Sequence, residues 1–215
     1  MLKYQYLLFD MDGTLVDTDE MLIQTMHILY DKYRNGIYTP KEKIYYFSGP
    51  PIEKTLKEEF PDMDPSFIKQ EFARISKELY PTTIKVYPHS REVLLELKNK
   101  GVKLGVVTNK LHDMTLYCLK LLNLEDIFDV VIGYDDVKIG KPNKEGILKA
   151  LDILKAKDLN KSIYIGDNIV DLDSANNADI DCILVNWGPR VLPKDIKPRY
   201  FINDYLDLRR IILDE

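Results

Sequence analysis

Tyr6-Leu7-Leu8-Phe9-Asp10-Met11-Asp12-Gly13-Thr14-Leu15 carries four apolar positions straight into two aspartates, a glycine and a threonine. A short apolar run bounded by turn chemistry predicts a fully buried strand. Ionised carboxylates at the edge of a core are costly unless a cation or hydrogen-bond donors meet them. In an open α/β sheet, ligands bind at the carboxyl ends of the strands. Asp10 and Asp12 therefore read as chemistry, with Gly13 letting the chain turn away behind them.

Outward from this stretch, Asp17-Thr18-Asp19-Glu20 supplies natural caps for a helix running to Tyr33 and stopped by Gly36. Thr39-Pro40 opens a short helix over 39–47. Ser48-Gly49-Pro50-Pro51 is a rigid break. Helices are predicted over 52–59 and 65–79, the second closed by Pro81. No strand is expected between Leu15 and Pro81. From residue 84 the pattern alternates. Strands are expected at 103–107, 130–132, 162–165, 181–185 and near Phe201, with helices at 110–122, 144–155, 169–178 and 205–213. The fold class is α/β: a doubly wound parallel sheet with helices on both faces. Residues 1–16 and 84–215 form the expected core domain. Residues 17–83 form an all-helical insert above the first strand's carboxyl end, with hinges near 15–18 and 81–86.

The 215 residues carry a net charge of −5, with 45% hydrophobic and 30% charged residues. No basic stripe is present, so nucleic acid and anionic membranes are excluded as main partners. A local basic pocket suffices for a small phosphorylated substrate. Cys118 and Cys182 lack CxxC spacing and read as buried thiols in a reducing cytoplasm. The amino-terminal residues enter the first strand too soon for a signal peptide's apolar region, and no apolar run nears the ~20 residues of a membrane helix. A cytoplasmic protein is expected, monomeric or a weak homodimer.

Four strand ends carry candidate chemistry. Asp10 is the expected nucleophile; a carboxylate attacking phosphorus divides hydrolysis into two easier steps. Asp12 is the expected proton carrier, for the leaving oxygen and then for water. Thr108-Asn109, behind Leu104-Gly105-Val106-Val107, would donate a hydroxyl and amides to phosphate oxygens, or simply cap a helix. Lys141 would set a positive charge against the transferring group, or stand solvated before a helix. Asp167 and Asp171, behind Ile163-Tyr164-Ile165, offer oxygen ligands suited to Mg²⁺, or an acidic helix start favoured by the dipole.

In this order the residues resemble the haloacid dehalogenase (HAD) superfamily. Asp10-Met11-Asp12-Gly13-Thr14 matches its first motif, Thr108 its second, Lys141 its third, and Gly166-Asp167 with Asp171 its fourth. The helical insert resembles the four-helix cap of subfamily I, on a Rossmann-like core. The resemblance implies a Mg²⁺-dependent phosphatase acting on a small phosphomonoester or pyrophosphate through an aspartyl-phosphate. Asp10 would be nucleophile and metal ligand, and Asp12 acid/base and, through its backbone carbonyl, a ligand. Asp167 would be a ligand, Asp171 a ligand or the support of one, and Thr108 and Lys141 the phosphoryl clamp. The acid at position 12 disfavours dehalogenation. Thr14 and Leu22 stand where the sugar-phosphate mutases carry a bulkier residue and a cap histidine. The closest likeness is to the phosphoglycolate phosphatase and PpaX-like pyrophosphatase branch. A phosphosugar mutase or phosphotransferase and a non-catalytic phospho-ligand sensor are the alternatives. Gly49, Pro50 and Lys54 are the expected cap residues above Asp10. His27, His89, His112 and Trp187 read as structural.

Overall fold

The computed structural model describes residues 2–213; residues 1, 214 and 215, the outer ends of the expected core domain, lie outside them. The chain opens with β1 (Tyr6–Phe9) and a two-residue strand β2 (Val16–Asp17). Helices α1 (Asp19–Tyr33), α2 (Lys41–Ile44), α3 (Ile52–Glu59) and α4 (Pro65–Thr83) follow, with a 3-10 turn at Tyr45–Phe47. Next come β3 (Lys85–Val86), α5 (Ser90–Asn99), β4 (Lys103–Val107), α6 (His112–Leu121), β5 (Val130–Ile132) and α7 (Glu145–Ile153). The chain continues through β6 (Ser162–Gly166), α8 (Ile169–Asn177), β7 (Asp181–Val185), β8 (Tyr200–Ile202) and α9 (Tyr205–Leu213).

Six strands form one parallel sheet in the order β5-β4-β1-β6-β7-β8. Both faces are covered, which is why the strands read as unbroken apolar runs. Leu7 and Phe9 point into the larger core, with Val93, Leu97, Leu119, Tyr205 and Leu208 of α5, α6 and α9. Leu8 points the other way, with Tyr164 and with Ile147, Leu151 and Leu172 of α7 and α8. Order reverses beside β1, so the crevice for a ligand opens at its carboxyl end.

The helical insert has its own apolar contacts. Met26, Leu29, Tyr30, Ile44, Leu56, Phe60, Ile68 and Ile75 are all buried, and Tyr30 stacks on Phe60 at 5.6 Å. Glu59 gathers the Tyr30 hydroxyl at 2.7 Å, Arg34 at 2.7 Å and Thr39 at 2.6 Å, tying three of its segments together.

Three local expectations are corrected. Pro81 lies inside α4 instead of closing it. The ring takes away the N–H that would bond four residues back, one turn before the helix ends, and the Thr82 and Thr83 hydroxyls donate to the Leu79 carbonyl at 3.2 and 2.8 Å. A strand does occur between Leu15 and Pro81: β2 pairs antiparallel with β3, Val16 opposite Val86 and Asp17 opposite Lys85. A two-residue pairing across the whole insert leaves no periodic trace, yet it ties together the two crossings expected to be hinges. Helix α5 was not foreseen, although Val93, Leu94 and Leu97 carry its buried face.

Candidate active site

Parallel register assembles the site. Phe9 lies level with Val106 and Ile165, so the next residues outward, Asp10, Val107 and Gly166, share one edge. Asp10 continues the ladder through its N–H to the Ile165 carbonyl at 2.9 Å, and Thr108 through its own to Ile132 at 3.0 Å. Asp10, Thr108, Lys141 and Asp167 are each no more than 5% exposed.

Lys141, from the loop after β5, reaches Asp10 at 2.9 Å, Asp171 at 2.6 Å and the Tyr164 hydroxyl at 3.0 Å. Burial pulls its ammonium down, but the two carboxylates outweigh this and hold it charged. Burial pushes Asp10 up to about 6 against the pull of Lys141. It pushes Asp167 up as well, against Arg190.

Asp171 sits in the first turn of α8. One oxygen accepts from Lys141; the other accepts from the Asp167 and Asn168 N–H groups at 3.0 and 2.9 Å. Gly13 adopts φ +84°, and a Cβ there would fall 2.3 Å from Asp167 Oδ2. A side chain at that turn would push the carboxylate out of the site.

Asp10, Asp167 and Asp171 each place an oxygen within 4.8 Å of the others, all buried, and form a candidate site for a metal ion. The charges fit a divalent one. Asp10, Asp12, Asp19, Asp167 and Asp171 face Lys110, Lys141 and Arg190. With all five carboxylates ionised, three cations leave two negative charges beside a buried edge, the charge a divalent ion would balance in place of protons.

The remaining expected residues divide. Asp12 and Thr108 line the cavity over Asp10. Gly49 lines it too, reaching the core through its carbonyl, which accepts from Asn109 Nδ2 at 2.8 Å. Asn109 itself ties loops together, donating also to the Lys141 carbonyl at 3.1 Å and accepting from the Lys141 N–H at 2.8 Å. Lys54 is exposed on α3 and does not line the cavity; the turn begun by Pro51 faces Ile52 and Glu53 inward instead. His27 lies against Tyr38, His89 against Asp204 and His112 against Asp136. Trp187 stacks on Tyr205 at 5.0 Å and donates to the Gly13 carbonyl at 3.2 Å. Cys118 and Cys182 are buried free thiols.

Two cations were missed. Lys110 Nζ lies 3.0 Å from both Asp12 oxygens and 2.6 Å from the Tyr80 hydroxyl. Its position two residues after the strand-end threonine was the available signal. Arg190 donates to Asp167 at 2.7 Å, to Asp19 at 2.8 Å and to the Tyr45 carbonyl at 2.8 Å. It joins a site carboxylate to the helical insert, from a loop with no periodic pattern.

A family model described as Haloacid dehalogenase-like hydrolase matches residues 7–185. The pyrophosphatase PpaX of Listeria monocytogenes is 32% identical over 216 residues, spanning 99% of this chain and 98% of that protein. The pyrophosphatase PpaX of Bacillus pumilus is 33% identical over 208 residues, spanning 95% and 94%. Two solved structures share the fold. A predicted phosphoglycolate phosphatase from Haemophilus somnus has TM-score 0.86 at 20% identity, covering 98% and 99% of the two chains. CbbY from Rhodobacter sphaeroides, in complex with phosphate, has TM-score 0.82 at 19% identity, covering 97% and 96%.

Proposed function

The chain belongs to the haloacid dehalogenase-like hydrolases, and we propose that it acts as a Mg²⁺-dependent phosphatase through an aspartyl-phosphate on Asp10. One observation carries the reading. A carboxylate at the exit of the central strand sits 2.9 Å from a buried lysine, within a three-carboxylate cluster, and lines a cavity it shares with a second aspartate. The pyrophosphatase names of its relatives support the same reaction class.

An Asp10 carboxylate oxygen attacks phosphorus, and the bond to the leaving oxygen breaks with its electron pair staying on that oxygen. Asp12 donates a proton there. It then takes one from the water that cleaves the aspartyl-phosphate, restoring Asp10 and releasing phosphate. Lys110 fixes Asp12 at the cavity wall. Lys141 balances charge on Asp10 and the transferring group. Thr108 presents its hydroxyl from the next strand end. Asp10 and Asp167 are the proposed metal ligands, with the Asp12 carbonyl. Both Asp171 oxygens already accept hydrogen bonds, which favours Asp171 as the support of Lys141 and of the Asp167 turn. When bound, Mg²⁺ supplies positive charge toward the phosphoryl oxygens. The segment 17–83 is the proposed cap on a core of 1–16 and 84–215, admitting substrate and excluding water. A cytoplasmic setting completes the proposal, suited to two free buried thiols.

Acid quenching during turnover, then peptide mass analysis, is expected to place phosphate on the peptide containing Asp10. Phosphate on another residue, or none under single-turnover conditions, would reject the covalent route. Chelation is expected to abolish activity and Mg²⁺ to restore it. Because burial pushes Asp10 and Asp167 up, the metal-free site holds protons that Mg²⁺ must displace. Affinity for Mg²⁺ is therefore expected to rise with pH, with proton release near neutrality. Calorimetric titration in buffers of different ionisation heat reads both, and a pH-independent affinity without proton release would count against this ligand set.

A further inference from the structure

The space between the helical insert and the sheet edge states which leaving group it accepts. It is a cavity of about 120 Å³ whose floor holds Asp10 and Asp12. For scale, an apolar cavity that binds benzene measures about 150 Å³, somewhat more than this one. The walls above the floor include Met21, Leu22, Phe47, Ile52, Phe72 and Met114. These come from α1, the 3-10 turn, α3, α4 and α6, so apolar side chains are spread around the chamber, with the hydroxyls of Thr18, Ser48, Ser76 and Tyr134 between them.

Its charges are already matched. The lining lysines are Lys69 and Lys110. Lys110 is engaged by Asp12 and Tyr80. Lys69, at the rim, pairs at 2.6 Å with Glu53, which also lines the cavity. The insert thus faces the substrate with one lysine and one glutamate, and no net positive charge.

That balance sorts the candidate substrates. With one phosphoryl group over Asp10, pyrophosphate puts a second phosphate into the chamber, and phosphoglycolate puts a carboxylate there. A buried anion needs a cation or several donors; the chamber offers neutral hydroxyls, among them Thr18, Ser48 and Tyr134, but its two lysines are already paired with carboxylates. A phenyl or short alkyl group there loses only water contact, which favours binding.

Resting on the phosphatase reading, we propose that this chain's preferred substrates are phosphomonoesters of uncharged, apolar alcohols, such as aryl and short-chain alkyl phosphates. Pyrophosphate and carboxylate-bearing phosphate esters are disfavoured, in contrast to the activity for which its relatives are named.

The test is a kcat/KM ranking of the full chain with Mg²⁺ on phenyl phosphate, the ethyl-to-butyl phosphates, pyrophosphate and phosphoglycolate. Phenyl phosphate is expected to exceed pyrophosphate by at least roughly tenfold. Each added methylene is expected to gain roughly fourfold until the chamber is full. Phe72→Lys, which adds a cation to the wall, is expected to lower turnover of phenyl phosphate and raise that of pyrophosphate. Ala73→Lys, at an exposed position that also lines the cavity, is expected to shift the ranking the same way and guards against a folding defect at Phe72. Asp10-dependent hydrolysis of pyrophosphate or phosphoglycolate above phenyl phosphate would overturn the inference and leave the phosphatase reading intact. No Asp10-dependent turnover of any of these esters would remove both.

Discussion

Replacing Asp10 by asparagine is expected to lower kcat on phenyl phosphate by roughly four orders of magnitude or more, since removing a covalent nucleophile forfeits the two-step route. Asparagine keeps the shape and can still accept from the Met11 N–H, bonded to Asp10 Oδ1 at 2.7 Å. Its amide does not form an acyl-phosphate of useful lifetime. The pH dependence of stability separates this from misfolding. Burial holds Asp10 at about 6, against 3.8 for the free group. Such a raised carboxyl contributes stability that is whole below the lower value and lost as pH rises through the upper one. Without metal, the asparagine variant is therefore expected to gain on wild type as pH rises through that window, read by urea unfolding. A variant that is stable, folded and inactive fits the nucleophile role. One that keeps more than about a tenth of wild-type kcat sinks it.

Lys141→Met carries the second large effect, on fold and activity together. Its ammonium lies between Asp10 and Asp171, and the lysine and both acids are at most 3% exposed in their side chains. Methionine fills most of the volume but leaves two carboxylates without their shared cation. Breaking a buried pair from one side costs about 3–5 kcal/mol, a large share of a domain's total stability. Asp10, already raised by burial, shifts further up without the lysine, so the deficit should grow with pH, being smaller near pH 5 than near pH 8. Loss of the charge beside the transferring group should also cut kcat by roughly two to three orders of magnitude. Urea unfolding at the two pH values checks the first part and phenyl phosphate turnover the second. Equal stability at high pH would mean that Lys141 compensates nothing there.

Much of this was open to a linear reading. Buried strands in a parallel sheet are apolar on both faces, so Tyr6–Phe9, Lys103–Val107 and Ser162–Gly166 announce themselves, and the polar residue that ends each apolar run marks the sheet's carboxyl edge. Asp10, Thr108 and Asp167 were legible for that reason. Asp171 was legible because the acid lies four residues beyond the strand end, within the first turn of a helix. Lys141, whose local setting reads as a solvated lysine before a helix, was legible only through its match to the third motif of the family.

The amino-acid order by itself determined most of the longer elements, though not α5 or the β2–β3 pair, together with the alternation that requires a parallel sheet and the strand-end residues available for chemistry. Only tertiary structure decided how those residues are paired. Lys110 holds Asp12, Arg190 binds Asp167 and reaches Asp19 across 171 positions of chain, and Glu53 neutralises Lys69 at the cavity rim. The physical reason is that backbone periodicity acts over a few residues, whereas a buried charge is matched by whatever the folded chain brings within about 3 Å. The character of the chamber above Asp10 arises the same way, from one or two side chains on each of five separate segments.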